Sequence, residues 1–300
     1  MTESQPQRRW YRLTPDRLVL LLLVAECLLW LSNWLGWPTW HKGYAILTCV
    51  AVVGVAMLLM LVWFGVALVF RWRFQFSIRS LLVLVVVVAV PCSWMTAEIK
   101  KADRQQAAKT AFQRFPGYVQ YGFQRSGQPS ASPAPSWLCR LLGNDFFASI
   151  EFVCLACDKR FTDADMEHVE SLPRLKMLRL GSANITNAGL QHLAILTDLE
   201  DLSLGRTQVS DAGLEHVQGL TQLRRLNLYA TNISDSGLEY LKGLGQLKAL
   251  YLGKTKVSDA CLEPLQGLSQ LEELYLNDTQ VTDEGVKKLQ QALPNCKIEG

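Results

Sequence analysis

The second half of this chain repeats with a period of 24 residues. Leu175, Leu199, Leu223, Leu247 and Leu271 each open the same phrase, L-x-x-L-x-L-x-x-T-x-V-S/T-D-x-G-L, and no insertion breaks the series. A period between about 20 and 29 residues with this leucine spacing predicts a solenoid, each repeat one strand and one short helix. A single repeat has nothing to bury its leucines against, whereas stacked repeats share one continuous core.

Each position of the phrase has a mechanical role. In L-x-x-L-x-L the last two leucines alternate with polar residues, as one face of a strand requires. The threonine column Thr207, Thr231, Thr255 and Thr279 places a hydroxyl where the chain leaves the strand, within reach of backbone groups at the turn. The pairs Ser210-Asp211, Ser234-Asp235, Ser258-Asp259 and Thr282-Asp283 read as helix starts, the hydroxyl capping free N–H groups and the acid favoured by the helix dipole. Leu214, Val217 and Leu220 then turn one side of a short helix inward.

A sixth, worn copy precedes these five. Counting back 24 residues from Ile185 reaches Phe161, followed by Thr162-Asp163 and by Met166, Val169 and Leu172. The same register places Cys154 and Ala156 in the inward strand positions, so the array is expected to begin near Ile150. Solenoid ends need covering. Trp137 to Gly143 reads as a short amphipathic lid, and Leu293 to Ile298 as a last edge segment.

The first hundred residues have a different character. Residues 18–36, 44–70 and 77–97 are apolar runs, two of them long enough for a bilayer core of about 20 residues and the third extended at the interface by Phe74 to Ile78. A cleaved leader is the rival reading of the first run, but no small-residue cleavage site precedes Trp30, Trp34, Trp37 and Trp40. Three membrane helices are therefore expected over residues 18–97. Arg8, Arg9, Arg12 and Arg17 before the first and Arg71, Arg73 and Arg79 before the third place residues 1–17 in the cytoplasm and everything after Ala97 outside it. Residues 98–136 read as a juxtamembrane helix followed by a Pro/Ser linker, and residues 137–300 as the repeat domain with its caps.

Charge separates the same way. Residues 1–97 hold 8 basic and 3 acidic side chains, leaving 22 and 24 for residues 98–300. The slight overall basicity is a topology signal, and no nucleic-acid partner is expected. Glu26 is the one acid inside an apolar run, and reads as a protonated, hydrogen-bonded group.

The outward strand positions form three columns on the face expected to be concave. One reads Arg179, Ser203, Asn227, Tyr251, Tyr275; the second Gly181, Gly205, Tyr229, Gly253, Asn277; the third Met177, Asp201, Arg225, Ala249, Glu273. Arg179, Arg225, Asn227, Tyr229, Tyr251 and Tyr275 have the composition of a recognition surface for a protein, a peptide or a glycan. Against this stands the plainer view that they are tolerated exposed positions. Cys154 and Cys157 share C-x-x-C spacing, and either can reach Cys139 for a disulfide outside the cytoplasm, although the strand register makes Cys154 an apolar filler. No metal site is expected: His168, His192 and His216 fall on the helical parts of successive repeats, and one Asp per repeat is too few oxygens for calcium. Nor does any constellation for catalysis or a cofactor stand out.

The repeat phrase resembles the ribonuclease-inhibitor-like leucine-rich repeats of F-box proteins and many bacterial proteins. The stretch Arg71 to Leu82, Trp137 to Phe147 and Ala292 to Ile298 resemble a group of bacterial membrane-anchored leucine-rich repeat proteins, sometimes called internalin-like. That resemblance implies an α/β leucine-rich repeat solenoid of about six repeats preceded by three transmembrane helices. It implies fold and location and names no partner; the solenoid surface itself points to a membrane-tethered protein-binding scaffold, and the lack of a catalytic constellation to no enzyme. The alternative is an accessory subunit of a membrane transport or signalling complex that works through its helices. Cys261 and Asp165 depart from the pattern where glycine is usual, and Ala183 where threonine is usual.

Overall fold

A computed structural model describes residues 78–124, 134, 136–155 and 158–300. The chain forms two compact units, residues 1–100 with 132–141, and residues 101–131 with 142–300. In the first, the described chain is the N-terminal part of helix α1 (Ile78–Phe112) and most of the short helix Ser136–Leu142. The expected membrane helices over 18–36 and 44–70 lie outside the described residues. The third, 77–97, falls on the beginning of α1. Among the described residues no helix is long and apolar enough to cross a membrane.

The second unit is built on one eight-stranded sheet in simple chain order. Its strands are β1 (Gly117–Tyr121), β2 (Ile150–Leu155), β3 (Met177–Arg179), β4 (Asp201–Ser203), β5 (Arg225–Asn227), β6 (Ala249–Tyr251), β7 (Glu273–Tyr275) and β8 (Lys297–Glu299). From β2 to β8 every neighbour is parallel, and from β3 onward Leu178, Leu202, Leu226, Leu250, Leu274 and Ile298 stand in one row across the sheet. The five leucines of that row are fully buried, as are Leu180, Leu204, Leu228 and Leu252 two residues on. Short helices on the opposite side close the core with Leu190, Leu214, Leu238 and Leu265. The repeat has thus the α/β layering that the leucine period requires.

The turn after each strand shows why threonine recurs. Residues Ser182, Arg206, Ala230, Lys254 and Asp278 adopt left-handed backbone with φ between 54° and 66°. This conformation costs a non-glycine residue free energy unless its surroundings hold it. Two bonds hold it here. The N–H groups of Arg206, Ala230 and Lys254 donate to carbonyls of the next repeat at Tyr229, Gly253 and Asn277. Thr207, Thr231, Thr255 and Thr279 donate their hydroxyls back to the carbonyls of Leu204, Leu228, Leu252 and Leu276, at 2.6–2.7 Å.

The Ser/Thr-Asp pairs do something other than what their position in the repeat suggests. Ser210 and Ser234 make no side-chain cap bond to their own helices. Instead the Asp of one repeat reaches the hydroxyl residue of the next. Asp211 accepts from Ser234 N at 2.7 Å and from its Oγ at 2.5 Å. Asp235 grips Ser258, Asp259 grips Thr282 and Asp163 grips Thr186 in the same two-point way. Asn187 replaces Asp in one repeat and still engages both groups of Ser210. The cap reading survives at Thr186, Ser258 and Thr282, whose hydroxyls also accept from Ala188, Ala260 and Gly285 N–H.

This staple explains the recurring glycine. A Cβ on Gly189, Gly213, Gly237 or Gly285 would collide with the carboxylate or amide oxygen of Asp163, Asn187, Asp211 or Asp259. Asp165 stands at the same position of the first repeat, where no earlier repeat sends an acid. It folds back instead, its Oδ2 accepting from Thr162 N at 2.9 Å and from Thr162 Oγ1 at 3.0 Å. Cys261 is the other departure. There the helix opens with a short 3₁₀ turn, Asp259–Cys261, while Asp235 keeps its hold on Ser258.

The first strand slips by one residue from its expected register. Val153, not Cys154, pairs with Leu178 and is fully buried with Leu155 beside it. The 24-residue count holds back to Phe161, but an extra residue lies between Leu155 and Phe161. A slip of one reverses the face of every strand residue. Cys154 is therefore an outward residue next to Arg179, not a core filler.

β1 runs antiparallel to β2, so the sheet's first edge is covered by the segment just after α1. The end of α1 packs over the same end of the core through Ala108 and Phe112. Phe112 and Phe115 lie 6.1 and 5.1 Å from the Phe161 ring. A polar strip completes this cap: Lys109 donates to Tyr121 Oη at 2.8 Å, Tyr121 donates to Asp145 at 2.9 Å, and Gln105 donates to the Ala148 carbonyl. Burial first, and then the Asp145 carboxylate, raise the Tyr121 phenol above its ordinary range. At the far end Lys297–Glu299 supplies the last parallel strand, as the segment after Leu293 predicts.

Candidate functional site

Because the buried leucines take every inward position of β3 to β7, the residues between them are displayed on the open face of the sheet. Two of the three columns predicted from the period stand in strand register, Arg179–Ser203–Asn227–Tyr251–Tyr275 in one row and Met177–Asp201–Arg225–Ala249–Glu273 in another, while the Gly181–Asn277 column falls in the turns just past the strands. The candidate residues do share one face.

They do not form one cluster. Tyr251 and Tyr275 stack with ring centroids 4.6 Å apart and planes within 6°. Tyr229 stands apart from that pair, its ring lying across Gly253, where a Cβ would press on the ring at 3.0 Å. The Arg206 guanidinium and the Lys254 ammonium lie 5.6 and 5.8 Å from the Tyr229 ring centre. Asn227 turns inward on its own backbone, Oδ1 accepting from Tyr229 N at 2.9 Å. Arg179 is engaged by Asp201, with Nη2 at 2.6 Å and Nε at 3.4 Å from the two carboxylate oxygens. That pairing holds the guanidinium above its ordinary pKa.

Arg225 differs from Arg179. It is exposed and makes no ion pair with a described residue. Two shallow concavities meet at it and at Asp201. One of about 220 Å³ includes Arg179, Asn227 and Tyr251; the other, about 270 Å³, includes Lys248, Ala249 and Glu273. Glu273 faces Tyr251 Oη at 3.4 Å. Burial, and then Glu273, raise the Tyr251 phenol, while Arg225 pulls it down.

The strand entrance carries a ladder of paired charge. Glu151 pairs with Lys176 at 2.9 Å, Glu200 with Arg224 at 3.9 Å and Glu272 with Lys248 at 2.6 Å. Sequence reasoning overlooked this ladder and the Asp201 partner of Arg179. Both were available in the period: 200, 224, 248 and 272 are one column, and Asp201 stands diagonally across from Arg179. The slipped strand adds Cys154, a free and half-exposed thiol facing Tyr118 of β1. Burial, then the neighbouring Cys154, raise the Tyr118 phenol. Cys157 lies outside the described residues. Cys139 sits in the helix Ser136–Leu142 with its Sγ 3.6 Å from the Ala134 carbonyl. Among the described residues no group of His, Cys, Asp and Glu has the arrangement to hold a metal ion.

The parallel ladder, the turn threonines and the leucine core together define an α/β leucine-rich repeat solenoid. Residues 268–289 match the family described as Leucine Rich repeat. No curated protein matches the chain. Among solved structures, an internalin from Listeria monocytogenes is 32% identical over 44% of this chain and 36% of its own, with a TM-score of 0.40. Internalin C2 from the same organism is 22% identical over 51% of this chain and 85% of its own, with a TM-score of 0.34. A complex of TLR13 with ssRNA13 matches at 22% identity over 50% of this chain and 21% of the TLR13 chain, with a TM-score of 0.40. The chain thus spans about a third of the first internalin and a fifth of TLR13.

Proposed function

We propose that the repeats are a protein-binding scaffold, held at a membrane by the apolar segments of residues 18–97 and displayed outside the cytoplasm. The observation that carries the binding role is the open sheet face. There a stacked tyrosine pair and an uncommitted arginine stand together over shallow concavities. Flat aromatic area beside a guanidinium is the composition in which binding free energy concentrates at protein interfaces. Tethering is supported by the length and apolar character of the runs 18–36 and 44–70, and orientation by the arginines that precede the first and third runs. The sheet face is built for recognition; no arrangement on it suggests proton transfer or nucleophilic attack.

The test is a cross-linking pull-down from native membranes with the whole chain, wild type against the combined change of Tyr229, Tyr251 and Tyr275 to Ala. All three rings lie on the open face, so circular dichroism and thermal unfolding should show a folded repeat domain. Capture of the principal partner should fall by an order of magnitude or more, since two or three interface hot spots each contribute about 2 kcal/mol or more. Equal capture by both forms would refute the sheet-face reading and move the contact to the membrane segments.

A further inference from the structure

The open face carries its charge in bands, and one member of the central band has no ion-pair partner among the described residues. Glu200 and Asp201 occupy adjacent positions on the approach to β4, Arg224 and Arg225 the same positions at β5, and Glu272 and Glu273 those at β7. Most of these charges are committed to one another. Asp201 holds Arg179, Glu200 lies against Arg224, and Glu272 holds Lys248. Arg225 stands between Asp201, already bound, and Ala249, which offers no polar group and is nearly fully buried. The next carboxylate in the row is Glu273, two strands away, or roughly 10 Å at ordinary strand spacing.

Ala249 opens the row at this point. Its short side chain leaves the floor of the larger concavity low between Arg225 and Glu273, and the Tyr251 ring walls the smaller one. A guanidinium where two such hollows meet, one of them walled by an aromatic ring, is shaped for a planar anion. Arginine donates two parallel N–H bonds to a carboxylate, and such charge-assisted pairs are stronger than neutral ones.

Resting on the protein-binding reading, we propose that Arg225 anchors an acidic side chain, Glu or Asp, of a protein partner, seated where the two concavities meet at Arg225, one floored by Ala249 and the other walled by Tyr251. The stacked Tyr251–Tyr275 pair forms the apolar shelf for the residues that flank this acid. Glu273 repels a second acid beyond it, so the partner carries one carboxylate there rather than an acidic run.

The experiment is a selection from a random peptide display library on the whole chain in lipid nanodiscs, for wild type, Arg225→Gln, Arg225→Glu and the triple tyrosine variant. Wild type should enrich peptides with one conserved Glu or Asp. Arg225→Gln should lose that preference and bind the selected peptides about tenfold more weakly or worse, the loss expected of one charge-assisted contact. Arg225→Glu should exchange the acid for Lys or Arg. Three results overturn the proposal: enriched peptides without a fixed acid, acid preference that persists in Arg225→Gln, or enrichment of acidic runs. Those outcomes leave the protein-binding reading standing. No enrichment by wild type over the triple tyrosine variant would remove both.

Discussion

The interior repeats and the first repeat solve the same problem in opposite ways. Between residues 199 and 280 each repeat relies on its neighbours: an Asp, or Asn187, of one closes the turn of the next, and at every such repeat but that of Cys261 a glycine keeps the path of that side chain clear. The first repeat has no neighbour before it. Asp165 takes over the role of the missing acid by bonding Thr162 of its own turn, and α1 and β1 replace the missing repeat as cover. Interior sequence is therefore repetitive because its partners are, and end sequence is irregular because it must be self-sufficient.

The comparison breaks most sharply in the core. Leu226→Ala removes a fully buried side chain flanked by Leu202 and Leu250 and should cost about 2–5 kcal/mol. Phe161→Ala, at the cap, should cost about 3–5 kcal/mol, since its ring meets both Phe112 and Phe115. The two losses should differ in reach rather than size. In hydrogen exchange the Leu226 variant should lose protection in β4 to β6 together, and the Phe161 variant in β1 and β2 with the rest retained. Uniform loss in both would mean that the cap and the interior are one cooperative unit and the distinction is empty.

A smaller effect isolates the staple. Gly237→Ala drives a Cβ into the Asp211 carboxylate and should cost about 1–3 kcal/mol by urea titration. Asp165→Gly restores the repeat consensus where no acid arrives. It should nonetheless destabilise, by about 0.5–2 kcal/mol, because Thr162 loses its acceptor. Asp211→Asn should cost less than either, since Asn187 already holds Ser210 through the same two groups. A stabilising Asp165→Gly would show that the first repeat obeys the interior rule after all.

What could be read in the sequence follows the same division. The leucine rows, the turn threonines and the outward columns were legible because a strand's two-residue alternation fixes each face once one repeat is in register. The Asp role was not, because its partner lies 23 residues away and its position at a helix start has a sufficient local explanation. Cys154 was misplaced for want of one count: the extra residue between Leu155 and Phe161 falls where no repeat follows the rule. β1 carries little alternation in Gly117-Tyr-Val-Gln-Tyr121 and borrows its regularity from β2. On the sheet face the columns were legible and the pairings were not. Period puts both arginines beside Asp201, Arg225 directly across from it and Arg179 on the diagonal, and only the reach of Asp201 to Arg179 separates the paired one from the other.

The gentlest probe is chemical. Burial, and then the carboxylates of Asp235 and Asp259, push the Cys261 thiol up to about 12; burial and then Glu273 push Cys296 up to about 11. A raised thiol pKa leaves little thiolate. At pH 8 a group near 12 is ionised in only about one molecule in ten thousand, and alkylation needs the thiolate. Cys154 is half-exposed on the open face, placed there by the slipped strand. Iodoacetamide at pH 8 should therefore modify Cys154 readily and spare Cys261 and Cys296, read by mass spectrometry of the cysteine peptides. Raising the pH should speed Cys261 as its thiolate fraction grows, and denaturant should equalise all three. Protection of Cys154 to the level of Cys261 would return it to the core and restore the uninterrupted 24-residue register. Labelling of Cys261 at the rate of Cys154 would instead mean that the repeat built around a cysteine in place of glycine opens freely, and that the staple from Asp235 does not hold it.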